Sequence, residues 1–334
     1  MDFQFFIGVD ISKLTLDFAV SDSQSTLFHI QVSNDLKGIR SFVARCKQDK
    51  IVWSKTLLCM EHTGIYNNTV IEFFHQKKVE LCVEHGRQIK QSMGMVRGKN
   101  DKVDALRISQ YARRFQDKIQ LWKPERDVLK KIRHLTALRK RLVNAKNQLK
   151  TPIKEAEKWL PKVMVKEMNS VNQPAVKAIQ KQIKIVEQKL NEIIATDPQL
   201  SHLFNIVTSV SGVGPVLYYE LLLTTKEFTA ITDPRKYASY AGIAPFDNLS
   251  GTSLKGSKRV SPMANKTVKK ILHMAALSVV SREGEMTNFY RRKVDEGKNK
   301  MAAINAVRNK IIHRVFACVR KNEKYDNNYK YQLG

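Results

Sequence analysis

Nowhere in the 334 residues do about 18 apolar side chains run together, and no short apolar core precedes a cleavage site. Neither a membrane span nor a cleavable signal is therefore expected. Cysteine is scarce: Cys46, Cys59, Cys82 and Cys318 lie far apart without a C-x-x-C pair. That spacing argues against a zinc ribbon and a disulfide framework, and it predicts reduced thiols packed in apolar surroundings. Acidic residues are also in short supply, 31 against 58 lysines and arginines, for a formal charge of +27. Self-repulsion on that scale is costly unless a polyanion neutralises part of it, so nucleic acid is the expected partner and cytoplasmic residence the expected location.

What is present is the composition of a folded protein, 43% hydrophobic and 27% charged. The chain exceeds the roughly 250–300 residues at which a single core stops growing, so more than one domain is expected. The basic excess is uneven, +5 over residues 1–122, +10 over 123–200 and +12 over 201–334.

Residues 3–10 and 14–20 are rich in β-branched and aromatic side chains and read as a β-hairpin, with further strands at 56–60 and 79–83 and a helix at 66–77 between them. A helix over 103–115 follows, with Asp101 at the place of its N-cap. The expectation for 1–122 is thus an α/β domain. From Pro124 a long helix places Val128, Ile132, Leu135, Leu142, Leu149 and Ile153 near heptad spacing, although Arg139 and Lys146 take two seam positions. Val176, Ile179, Ile183, Val186, Leu190 and Ile193 form a second such run, so 123–198 reads as a helical hairpin or coiled coil, packed within one chain or dimerising. After Asp197-Pro198 come short helices at 215–223, 233–241, 263–280 and 300–320, a mostly helical third region over 199–326, and a polar tail at 327–334.

Four acids stand where chemistry could use them. Asp10 and Glu61 end apolar strands, and Asp101 and Asp104, spaced i, i+3, share one face of a first helical turn. Hard divalent cations prefer oxygen ligands and keep positions open for phosphates, which is the requirement of metal-assisted phosphodiester chemistry. Each acid has a plainer reading as well: a cap for Asp101, a dipole partner for Asp104, an ordinary strand-end acid for the other two.

In the last region, Val210-Ser-Gly-Val-Gly-Pro215 resembles the turn of a helix-hairpin-helix, in which Gly212 and Gly214 let backbone amides approach a phosphate without reading sequence. A tight turn between packed helices is the alternative. Residues 247–259 read as a polar loop dense in hydroxyls and cations, among them Lys255, Lys258 and Arg259, suited to meeting phosphate. A serine there could act as a nucleophile if its proton is removed and the developing charge stabilised. By chemistry alone Ser250, Ser253, Ser257 and Ser261 are not ranked, and each could equally be a loop cap or a phosphate donor.

Ile7-Gly-Val-Asp10 with Lys13, Met60-Glu-His-Thr-Gly-Ile-Tyr66, Lys99-Asn-Asp-Lys-Val-Asp-Ala105, Val210-Ser-Gly-Val-Gly-Pro215 and the run from Tyr240 through Ser250-Gly-Thr-Ser253 to Gly256 resemble, in order and spacing, the IS110 family of insertion-sequence transposases, relatives of the Piv/MooV DNA invertases. The resemblance covers nearly the whole chain. It implies a RuvC-like, ribonuclease-H-type α/β N-terminal domain whose Asp-Glu-Asp-Asp set matches Asp10, Glu61, Asp101 and Asp104, then a coiled-coil insertion and a mostly α C-terminal domain with a helix-hairpin-helix. It aligns the family's nucleophilic serine with Ser250. It further implies Mg²⁺ (or Mn²⁺) as cofactor, double-stranded DNA as substrate, a 5′-phosphoserine intermediate, strand exchange through a Holliday-junction-like state, and a homodimer or homotetramer joining the acids of one protomer to the serine of another. Some members of the family are guided by a structured bridge RNA. Two other readings stand beside it: a metal-dependent junction nuclease in which Ser250 only binds phosphate, and a non-catalytic nucleic-acid-binding protein.

Overall fold

The structure, a computed structural model, describes residues 2–92, 100–250, 254–260 and 264–326, with only the backbone of 247–250 and 254–259. Ser253 and Ser261 fall outside the described residues, as do the expected polar tail at 327–334 and Lys99. The chain divides into two compact units, with the boundary between Pro124 and Glu125.

In the first unit, β1 (Phe5–Ile11) and β2 (Thr15–Ser21) form the expected antiparallel hairpin. β3 (Thr26–Ser33) adds to β2 and is followed by α1 (Leu36–Gln48). Then come β4 (Thr56–Glu61), α2 (Asn68–Gln76), β5 (Glu80–Glu84), α3 (Gly86–Ser92) and α4 (Asp101–Arg114). The sheet order is β3-β2-β1-β4-β5, with β4 and β5 parallel to β1. β3 and α1 were not among the elements expected from the sequence. β3 is a half-exposed edge strand in which Phe28, Ile30 and Val32 pack on the core and alternate with His29 and Gln31.

Side chains alternate across the sheet. Ile7, Val9, Ile11, Leu16, Phe18, Leu58 and Met60 face one core with Phe42 of α1 and Phe74 of α2, where Phe18 and Phe42 stack. Phe6, Leu57, Cys59 and Cys82 face the other, against Ile108, Tyr111 and Ala112 of α4. Gly8 lies on that second face. A Cβ at Gly8 would come within 2.2 Å of the Ala105 carbonyl oxygen and the Ser109 nitrogen, so the helix backbone rests directly on the strand backbone. Ser109 seals the contact: its buried hydroxyl donates to Phe6 O at 2.9 Å and lies 2.9 Å from Ser21 Oγ.

The second unit opens with two long paired helices, α5 (Asp127–Ala156) and α6 (Lys162–Thr196). Arg139, a basic residue on an apolar seam, is accounted for by Glu187 of α6, which accepts from its Nε at 2.7 Å. At the base of this pair, Leu129, Ile132, Val186, Leu190 and Ile194 share one core with the helices that follow. These are α7 (Pro198–Thr208), α8 (Pro215–Thr225) and α9 (Pro234–Tyr240), then, beyond two paired strands, α10 (Lys266–Val280), α11 (Glu285–Asp295) and α12 (Lys300–Lys321). Arg126 ties the start of α5 to Asp197 and Glu227.

Two local expectations need correction. Within the expected polar loop at 247–259, the described backbone forms two paired strands, β6 (Pro245–Ser250) antiparallel to β7 (Leu254–Val260). Backbone pairing, not an apolar face, defines these strands, so no hydrophobic alternation announced them. And the cap of α4 is Asn100, whose Oδ1 accepts from Val103 N at 2.8 Å, which leaves the Asp101 carboxylate inside the first turn and free of that duty. All four cysteines are buried and free, and burial pushes the Cys46 thiol up to about 12. Among the described residues no helix is long and apolar enough to cross a membrane.

Replacing Gly8 by alanine forces α4 off the sheet, and such overpacking against backbone should cost about 3 kcal/mol in urea unfolding. Gly214, which has open space around it and φ −98°, should lose about 1 kcal/mol or less on the same substitution, the usual difference at an N-cap.

Candidate active site

The geometry begins with sheet parity. Asp10 is two residues beyond Gly8 and so emerges on the face covered by α4. β1 and β4 pair in parallel from Phe5↔Thr56 to Val9↔Met60, which brings Asp10 and Glu61 next in step at neighbouring strand ends. Glu61 lies on the same face as Leu57 and Cys59. The turn after it is held by Asn67, whose Nδ2 donates to Glu61 O at 2.7 Å while its Oδ1 accepts from Thr63 N and Thr63 Oγ1 at 2.7 and 2.8 Å. Gly86, at the start of α3, is what gives the Glu61 carboxylate room, because a Cβ there would meet Glu61 Oε2 at 2.4 Å.

Asp101 and Asp104 arrive from the first turn of α4, fixed on the sheet by the Gly8 contact one turn further on. Arg107 Nη1 donates to Asp104 Oδ1 at 2.8 Å and offsets part of its charge. The acids feel one another. Burial first, then the negative charges of Asp104, Asp101, Glu61 and Asp17, push the Asp10 carboxyl up from 3.8 to about 6.

Two acids on this face had not been singled out from the sequence. Asp17 stands opposite Asp10 in the hairpin register, is 3% exposed, and accepts from His29 Nε2 at 2.9 Å and Gln31 Nε2 at 3.0 Å. Glu84 pairs in register with Glu61 and accepts from Tyr111 OH at 3.2 Å. Counting back through the hairpin from Asp10 would have found the first.

All-carboxylate oxygen donors and a shortage of nearby positive charge are the chemistry a hard dication takes. Yet among the described residues no three His, Cys, Asp or Glu side chains already meet at metal-holding distance. The two facts are compatible, since charge coupling extends over several ångströms while Mg²⁺ ligation requires oxygens at about 2.1 Å. The acids are gathered without being closed around an ion.

The remaining expected residues lie in the second unit. Gly212 adopts φ +87° in the turn between α7 and α8, and a Cβ there would come 3.1 Å from Ala275 O of α10. Gly214 takes the N-cap position of α8 in open space. The turn borders a groove of about 630 Å³ whose cations are Lys270 and Arg282. Ser250 closes β6 opposite Leu254, Lys255 pairs with Leu249 and Arg259 with Phe246, while Lys258 and Ser257 lie along β7. Just before β6, Asn305 Nδ2 of α12 donates to Ile243 O at 2.7 Å. Arg308, 6% exposed, lies one turn on with its Nη2 2.5 Å from His273 Nδ1, and burial holds the pKa of each below its ordinary value. His273 therefore accepts from the guanidinium as a neutral ring. Nothing in the sequence marked this pair.

Residues 7–156 match a family model described as transposase of the DEDD IS110 type, and residues 204–291 match one described as transposase, IS116/IS110/IS902 family. The pilin gene-inverting proteins of Moraxella bovis and Moraxella lacunata are each 26% identical to the chain over 326 residues, 96% of this chain and 97% of theirs. A 43.6 kDa protein of insertion element IS110 from Streptomyces coelicolor is 27% identical over 150 residues, 45% of this chain and 36% of its own length.

A carboxyl whose folded pKa lies above its unfolded value binds its proton more tightly when folded. Stability from Asp10 is therefore present at low pH, is lost as pH rises from about 4 to about 6, and stays lost above that window. Asp10→Asn should raise the thermal midpoint of the metal-free protein at pH 7.5 by roughly 4 °C, the response of a domain this size to about 1 kcal/mol, and leave it unchanged at pH 4. Scanning calorimetry at the two pH values decides it.

Proposed function

The chain belongs to the IS110/IS116/IS902 family of transposases, and we propose from that premise that it recombines DNA by a serine-linked route, with Asp10, Glu61, Asp101 and Asp104 holding Mg²⁺ or Mn²⁺. DNA recombination is the activity the family membership supports. The observation that carries the finer reading is the crowding of carboxylates around Asp10 on the one sheet face that α4 covers. The strand order, with three antiparallel strands followed by two parallel to the first, supports a ribonuclease-H-type, RuvC-like reading of the first unit. A bound dication would supply charge neutralisation for the acids and for the scissile phosphate.

The nucleophile in this reading is Ser250, chosen by its family resemblance and supported by its place at the end of β6, opposite Leu254 of β7. Its Oγ forms a bond to phosphorus as the bond to the 3′ oxygen breaks. The serine proton leaves to a base and the 3′ oxygen takes one up, giving a 5′-phosphoserine and a free 3′ hydroxyl. Attack by another strand's 3′ hydroxyl reverses the step and frees the serine. Lys255, Lys258 and Arg259 would supply positive charge for the phosphate, and the amides of the Gly212–Gly214 turn would grip backbone phosphates elsewhere on the DNA. The partners are two DNA segments and a second copy of the chain in a dimer or tetramer; sequencing of co-purified RNA tests whether a guide RNA joins them.

On a labelled nicked or junction substrate with Mg²⁺, wild-type protein should form a serine-linked adduct stable to denaturing electrophoresis. Ser250→Ala should abolish that adduct and slow recombination by roughly 10³-fold or more, as loss of a nucleophile does. Asp10→Ala should also lose activity while keeping DNA binding. Cleavage without any adduct would favour the junction-nuclease reading, and full activity of Ser250→Ala would end the proposed mechanism.

A further inference from the structure

The outer face of α12 carries charge that neither the acids nor the β6–β7 pair uses. Lys310, His313, Arg314, Ala317 and Arg320 recur at helical spacing on one stripe, while Val307, Ile311, Ile312, Val315 and Phe316 turn into the core. The stripe forms one wall of a groove of about 510 Å³, and residues 232–235, ending in Arg235, form the other. Acids do not cancel this charge. Glu285 alone serves both Lys310, at 2.6 Å, and Arg314, at 2.9 Å. Asp233 spends its carboxylate on the Arg235 backbone nitrogen at 2.8 Å. Arg235 and Arg320 are exposed, and among the described residues neither has an ion-pair partner.

We propose that this groove seats the phosphate backbone of double-stranded DNA, a contact that rests on the recombinase reading and extends it to a surface whose α12 wall lies beyond the matched family segments. From Lys310 to Arg320 the helix rises about 15 Å. Laid along the duplex axis, that length spans roughly four phosphates of one strand, at about 3.4 Å of axis each. The chemistry of the wall is guanidinium and ammonium, with His313 as a further N–H donor; burial and then Arg235 lower its pKa, against the opposing effect of Asp233. The ring in the wall, Phe316, is buried at 5% exposure, so single-stranded bases find no stacking platform there. Such a surface grips backbone and reads no sequence.

The test uses the full chain and a random-sequence 30-base-pair duplex. Arg235→Glu combined with Arg320→Glu removes two exposed cations of the groove. A control, Lys50→Glu with Lys55→Glu, makes the same charge change at exposed positions of the first unit. Each lost phosphate contact should lower the slope of log affinity against log salt by about 0.9, so the groove variant should lose about 2 in slope and roughly 30-fold in affinity at 0.15 M salt. The control should change affinity less than about threefold. Equal effects of the two variants would overturn the proposal, as would a loss confined to a structured RNA with duplex binding intact. Adduct formation by the wild type is scored separately: its absence would remove the recombinase reading, whereas a groove variant that binds duplex normally while the wild type still forms adduct removes only this one.

Discussion

Everything in the first unit that bears on chemistry follows from a helix resting on a strand with no side chain between them. At Gly8 the strand has no Cβ, and α4 comes close enough for the Ala105 carbonyl and the Ser109 amide to occupy its place. Ser109 then satisfies its hydroxyl against Phe6 O, so the approach leaves no buried polar group orphaned at that point. Because Asp101 and Asp104 lie within two turns of this contact and Asp10 lies two residues beyond it, one steric fact sets the spacing between acids that are about ninety residues apart in sequence.

The electrostatics run against the packing. Gathering Asp10, Glu61, Asp101, Asp104 and Asp17 on one face opposes folding, and the protein answers only in part. Arg107 offsets Asp104, and His29 with Gln31 steadies Asp17, while Asp10 bears the remainder as a raised affinity for a proton. Negative charge arranged in this way is left unbalanced by the protein itself, and a cation is the group that would relieve it. The second unit has the converse imbalance: its surplus is positive, and Arg308 is buried beside a neutral histidine.

Much of this was legible in the residues, and the failures have physical causes. Strand-end acids after continuous apolar runs mark Asp10 and Glu61, because a buried parallel strand has nowhere else to place a carboxylate. The i, i+3 pair marks a shared helix face whatever the exact start of the helix. Which residue caps that helix was not legible, since Asn100 and Asp101 are both competent and only the backbone geometry chooses. β6 and β7 carry no sustained apolar alternation, whereas β3 does, through Phe28, Ile30 and Val32, and was passed over. Asp17 and Glu84 carry no mark of their own in the sequence; only register places them beside Asp10 and Glu61. Pairs such as Arg139 with Glu187 join positions 48 residues apart, a separation that no local pattern encodes.

The alternation of β1 and β4 also restricts how such a chain can change in length. Dropping or adding a single codon within either strand would rotate its terminal acid into the phenylalanine-lined layer beneath α1 and α2, and bring a valine or methionine to the other side. Loops can lengthen freely over time, but these two segments can be resized only in steps of two.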